Sequence, residues 1–139
     1  MMYKFIKGDL LSTDADIICH QVNLQGVMGG GLALSIAKKY PFVEKQYRKY
    51  EPKELGEVCF VNTDDFVIAN CFSQTMNFST HYEALKECLT TVISYMNEHG
   101  LKTIAIPYKY GCGIANGDWS IVLNIFDSMF DDLLIYVKD

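Results

Sequence analysis

Two glycine-rich segments, each set between an apolar run and an amphipathic stretch, constrain this chain more than any other feature. Residues 26–31 are glycine at four of six positions and follow residues 16–22, a β-branched run with the character of a buried strand. They open into a stretch in which Leu32, Ala33, Ile36, Ala37 and Tyr40 share one helical face, ended by Pro41. Residues 111–117 repeat the arrangement after a strand at 103–107. They lead into an amphipathic helix over 118–130 through Trp119, Val122, Leu123, Phe126 and Phe130. In open α/β sheets, ligands sit beyond the carboxyl ends of the strands. Glycines there let backbone amides approach an anion, and the following helix dipole favours negative charge. Either loop alone is as readily a tight turn. Two at equivalent positions point to a site for two phosphates or a diphosphate.

The remaining elements complete an alternating order. Residues 3–7 read as a short strand and residues 42–50 as a second short helix. Residues 57–62 and 66–72 are strand-like and are joined through Thr63-Asp64-Asp65, which suits a hairpin. Thr80-His81-Tyr82-Glu83 has the form of a capping box, after which Tyr82, Leu85, Leu89, Val92, Ile93 and Met96 keep helical spacing up to Gly100. Residues 133–137 close as a strand. The order β-β-α-α-β-β-α-β-α-β predicts a single domain over 1–139, a three-layer α/β/α fold with a mixed sheet of about six strands.

Composition narrows the partners. A chain of 139 residues is long enough to bury a core without disulfides. The net charge of −5 argues against a nucleic-acid backbone as partner. It does not argue against a phosphate ligand held by backbone amides. The five cysteines form no C-x-x-C pair, and most sit in apolar runs. They read as core residues in a reducing compartment, with no metal site. No signal-peptide-like or bilayer-length apolar run occurs, so the expectation is a cytoplasmic protein with no membrane partner. Neither loop is a nucleotide fingerprint. Gly29-Gly30-Gly31-Leu32-Ala33 lacks the end of a P-loop, and Gly117 falls one residue late for G-x-G-x-x-G after Gly111-Cys112-Gly113.

Gly8-Asp9-Leu10, then Cys19-His20-Gln21-Val22-Asn23 and Met28-Gly29-Gly30-Gly31-Leu32-Ala33, resemble the first half of a macrodomain. Ile106-Pro107, then Gly111-Cys112-Gly113-Ile114-Ala115 and Asp118-Trp119, resemble its second half. The likeness is to the branch holding ADP-ribose 1″-phosphate phosphatases and terminal ADP-ribose glycohydrolases. It implies binding of ADP-ribose or a derivative, with no cofactor, and an ADP-ribosylated macromolecule as a possible partner. By that resemblance Asp9 would accept from the adenine amino group, the Leu10 backbone would frame the base and Tyr136 would pack near it. Asn23 would lie beside the distal ribose, and Gly29, Gly30 and Gly31 would line that ribose and the diphosphate. Gly111, Cys112, Gly113, Ile114 and Ala115 would wrap the diphosphate through their amides.

The chain also departs from that branch. Its glycohydrolases use a lysine from the loop before the long helix and an aspartate after the G-C-G loop. Here residues 73–82 hold no lysine, and Ala115 stands at the aspartate's place. Hydrolysis would then use water as nucleophile, with Asn23 positioning the ribose and His20 or Asp118 as base or acid. Each has a plainer reading: His20 as a satisfied strand histidine, Asp118 as a helix cap, Cys112 as a small residue in a tight loop. His81 reads as a helix-surface residue bordering the site, and His99 as a partner of a helix C-terminus. Two function classes follow: a hydrolase acting on ADP-ribose 1″-phosphate or an ADP-ribosyl conjugate, and a non-catalytic reader or sequestering module.

Overall fold

In the computed structural model, which describes residues 2–74, 81–110 and 117–138, the strand and helix order is the one that the alternating pattern implies. The chain runs β1 (Met2–Lys7), a 3-10 helix (Leu10–Ser12), β2 (Ile17–Val22), α1 (Gly31–Lys39) and α2 (Pro41–Lys49). The hairpin strands β3 (Val58–Asn62) and β4 (Val67–Phe72) follow, then α3 (Tyr82–His99), β5 (Ile104–Pro107), α4 (Trp119–Met129) and β6 (Asp132–Val137). The six strands form one sheet in the order β1-β6-β5-β2-β4-β3. Only β3 and β4 pair antiparallel; every other neighbouring pair is parallel.

The pleat sends alternate residues of the central strands into two separate cores. On one face Ile17, Cys19, Ala69 and Cys71 pack with Leu85 and Leu89 of α3 and Val122 and Phe126 of α4. On the other face Ile18, Val22, Ile68 and Phe72 pack with Ile36 of α1 and Val43 and Tyr47 of α2. This is why Ile17, Ile18 and Cys19 are apolar in succession without alternation: β2 is covered on both sides.

Helix ends follow local chemistry with one exception. Tyr40 closes α1 and opens α2, with Pro41 in the first turn of α2, where its missing N–H costs nothing. Gly100 closes α3 in the left-handed conformation at φ +68°. The expected capping box is not the start of α3. Thr80 lies outside the described residues, and the N-cap position belongs to His81, whose side chain makes no capping bond. The chain is anchored there instead by a backbone bond, with the His81 N–H donating to the Ser73 carbonyl. Cys19, Cys59, Cys71 and Cys88 are free and buried. Burial pushes the Cys59 thiol up to about 11, which makes it unreactive at neutral pH.

Candidate functional site

The carboxyl end of β2 and the start of α1 enclose an open groove of about 610 Å³. Its lining among the described residues includes His20, Gln21 and Asn23 from β2 and its exit, Gly29, Gly30 and Gly31, Leu32 and Ala33 of α1, Gln74 and Pro107. None of these residues carries a formal charge at neutral pH. The apolar side of α1 explains part of that shape. Ile36 alone in α1 is fully buried, while Leu32 and Ala33 are half-buried because they face the groove.

An anion could be held here without a cation. Gly30 is the N-cap of α1 and offers no side-chain cap, so the first-turn amides of α1 have no capping side chain. Gly29, Gly30 and Gly31 are exposed at the groove wall. A Cβ on Gly30 would meet nothing within 4 Å, and its φ of −156° suits any residue. The fold does not demand glycine at 30; the space in front of it is groove. Gly31 differs, since its φ of +56° favours glycine by conformation.

His20 is buried, and its Nε2 lies 2.6 Å from Asn70 Oδ1. Asn70 Nδ2 donates to the Cys59 carbonyl, so Oδ1 is the acceptor face and His20 Nε2 must carry the proton. Burial lowers the imidazole to about 4, against a smaller opposing effect of the Asn70 bond. His20 is therefore neutral at pH 7, with a lone pair left on Nδ1. Between pH 6.5 and 4 the unfolded chain binds a proton at His20 that the folded chain does not, so stability falls as pH falls through that window. The expected loss is on the order of 3 kcal/mol. Denaturant unfolding at pH 7 and pH 4 measures it, and His20→Gln should remove that part of the fall.

Asn23 is the hub of the turn that leaves β2. Its Oδ1 accepts from the backbone N–H of Gln25 at 3.0 Å and of Val27 at 3.4 Å, and its Nδ2 donates to the Val27 carbonyl at 3.1 Å. The deeper wall is a second amide cluster. Ser73 Oγ donates to Gln21 Oε1 at 2.8 Å, and Gln21 Nε2 donates to Gln74 Oε1 at 3.3 Å.

The other residues singled out by sequence are placed as follows. Asp9 is exposed and caps the 3-10 helix, accepting from the Leu11 N–H at 2.9 Å, while Leu10 is buried beside it. Tyr136 is half-buried and ties β6 to this corner by donating to Thr13 Oγ1 at 2.8 Å. Asp118 is the N-cap of α4, accepting from the Ser120 N–H and hydroxyl, and those bonds lower its carboxyl. It is not among the described residues that line the groove. Gly111, Cys112, Gly113, Ile114 and Ala115 lie outside the described residues. His99 caps its own helix, its ring Nδ1 2.9 Å from the Tyr95 carbonyl. Sequence reading passed over Gln21, Gln74, Asn70 and Tyr47. Asn70 alone had a legible signal, a lone carboxamide inside an otherwise apolar strand. Among the described residues no cluster could hold a metal ion, and no helix is long and apolar enough to cross a membrane.

Comparison with known proteins agrees with this fold. The profile of the Macro domain family matches residues 19–126. The chain is 30% identical over 163 aligned positions to an ADP-ribose 1″-phosphate phosphatase of Lodderomyces elongisporus, covering 100% of both. It is 28% identical to a DNA ADP-ribosyl glycohydrolase of Mycobacterium tuberculosis, over 95% of this chain and 40% of that one. A solved structure of a protein of unknown function from Bacteroides thetaiotaomicron superposes with a TM-score of 0.89 at 27% identity, covering 99% and 98% of the two chains.

Proposed function

Since this chain belongs to the Macro domain family, we propose that its groove binds ADP-ribose or a derivative and hydrolyses the bond at the distal ribose, with water as nucleophile. The observation that carries the reading is the uncapped N-terminus of α1, presented with three exposed glycines to a groove whose described lining is uncharged. Backbone amides there suit a diphosphate. Asp9 and Tyr136, at the corner of β1 and β6, are the adenine-side residues. Asn23 and His20 are the ribose-side residues, and Gly111, Cys112, Gly113, Ile114 and Ala115 are the second phosphate loop. The relative named as an ADP-ribose 1″-phosphate phosphatase supports the phosphate ester as first substrate to try. The one named as a DNA ADP-ribosyl glycohydrolase supports an ADP-ribosyl conjugate as second.

Water is the nucleophile in this reading because residues 73–82 contain no lysine that could form a covalent intermediate. Neutral His20 can accept a proton only weakly, and it serves better to hold a water or hydroxyl through Nδ1. Asp118 is the first carboxylate after Ala115, three residues further along the chain. The expected result is that His20→Ala and Asp118→Ala keep ADP-ribose affinity near wild type, while at least one loses about 10²-fold in turnover. Phosphate or ADP-ribose release, followed beside calorimetry with ADP-ribose, checks both halves. Wild-type turnover in both variants would remove these residues from the chemistry.

A non-catalytic reader is the second reading. It is favoured by a groove whose described side chains include no carboxylate and whose one histidine is held at about 4. ADP-ribose binding with no turnover of either substrate class would establish it in place of the hydrolase.

A further inference from the structure

Tyr47 is a fully buried residue of α2, yet its hydroxyl is 2.7 Å from both oxygens of Asn23, the backbone carbonyl and Oδ1. A phenol has one proton, so either oxygen can receive it, and in both cases the same residue is gripped. Burial pushes the Tyr47 hydroxyl up to about 12, which keeps that proton in place throughout the neutral range. The grip adds to the bonds by which Gln25 and Val27 already hold Oδ1.

These contacts fix which way the carboxamide faces. Oδ1 is taken by two backbone N–H groups with the Tyr47 hydroxyl beside it, and one Nδ2 hydrogen is spent on the Val27 carbonyl. What Asn23 has left to offer the groove is a single N–H. We propose that Tyr47 is a positioning residue that locks Asn23 as a hydrogen-bond donor to the second ribose, and so makes the groove select ADP-ribose over ADP. This rests on the ADP-ribose reading for the identity of the ligand. The lock itself is a property of the free protein. The ring of Tyr47 is also packed against Phe72, with centroids 5.7 Å apart, so Phe can replace Tyr without a cavity.

The test compares Tyr47→Phe and Asn23→Asp with wild type, using ADP-ribose and ADP as paired ligands in calorimetry. A second arm follows amide hydrogen exchange at Gln25 and Val27 in the free protein. Tyr47→Phe should lose about 10-fold in ADP-ribose affinity, keep ADP affinity within about twofold, and speed exchange at both amides. Asn23→Asp keeps the acceptor oxygen for Gln25 but removes both donors of the carboxamide, the one to the Val27 carbonyl included, and its charge repels either diphosphate, so both ligands should weaken, ADP-ribose by the larger factor. Equal losses for both ligands in Tyr47→Phe, or unchanged exchange at Gln25 and Val27, would overturn the lock. A wild type that binds neither ligand would defeat the ADP-ribose reading instead, and the exchange arm would still decide the role of Tyr47.

Discussion

Gly30→Glu abolishes ADP-ribose binding while leaving the protein folded; the expected loss is about 10³-fold or more in affinity, or roughly 4 kcal/mol. The fold tolerates the change because Gly30 has an extended backbone at φ −156° and open space where a Cβ would go. That open space is the groove, so the side chain enters the path of the ligand and brings a negative charge to where the diphosphate would lie. Calorimetry measures the loss, and thermal unfolding within a few degrees of wild type shows that it comes from the site. Gly30→Ala, without the charge, should lose far less. Wild-type affinity in Gly30→Glu would mean that the diphosphate does not run past α1.

The second large effect is on stability and comes from Asn70→Ala. Asn70 is completely buried in β4, and among the described residues it alone connects the His20 ring to the Cys59 carbonyl. Truncation leaves the buried His20 N–H without a partner, removes a second donor from the Cys59 carbonyl, which keeps its bond in the β3–β4 ladder, and opens a small cavity. About 3 kcal/mol is expected, from one orphaned group at roughly 1–3 kcal/mol together with the cavity. Urea unfolding should show this as a lower midpoint with an unchanged slope. A loss under about 1 kcal/mol would mean that water replaces the carboxamide.

The sheet and its helices were legible because the signals that specify them are local. The two glycine loops, the alternation of the hairpin strands and the spacing from Leu85 to Met96 can each be read within a dozen residues. The N-cap of α3 falls one residue later than the Thr80 box implies, for the opposite reason. A backbone bond from His81 to Ser73 anchors the approach to that helix, and a bond between main-chain groups leaves no mark in the sequence. The groove divides in the same way. Asn23 and His20 lie in one short stretch with the strand that carries them, and Gly29 to Gly31 follow closely. Gln21 meets Gln74 across 53 residues, and Tyr47 meets Asn23 across 24, so nothing local marks either partner. The role of Asn23 also looks different with its neighbours in place: much of its bonding capacity holds its own turn.

The strand order has a consequence for how the chain acquires its structure. β1, the first strand, has a single neighbour, and that neighbour is β6, the last. The paired residues, from Met2 with Asp132 to Lys7 with Val137, are 130 positions apart. Closing so long a loop is entropically costly, and parallel pairing at such separation is slow to form. On the ribosome, β1 emerges before anything it can pair with has been made. The central strands β2, β4 and β5 pair with one another and not with β1. Asp9 and Tyr136, on the adenine side of the proposed site, belong to the corner that the β1–β6 pairing completes, so the proposed site is whole only when those two strands meet.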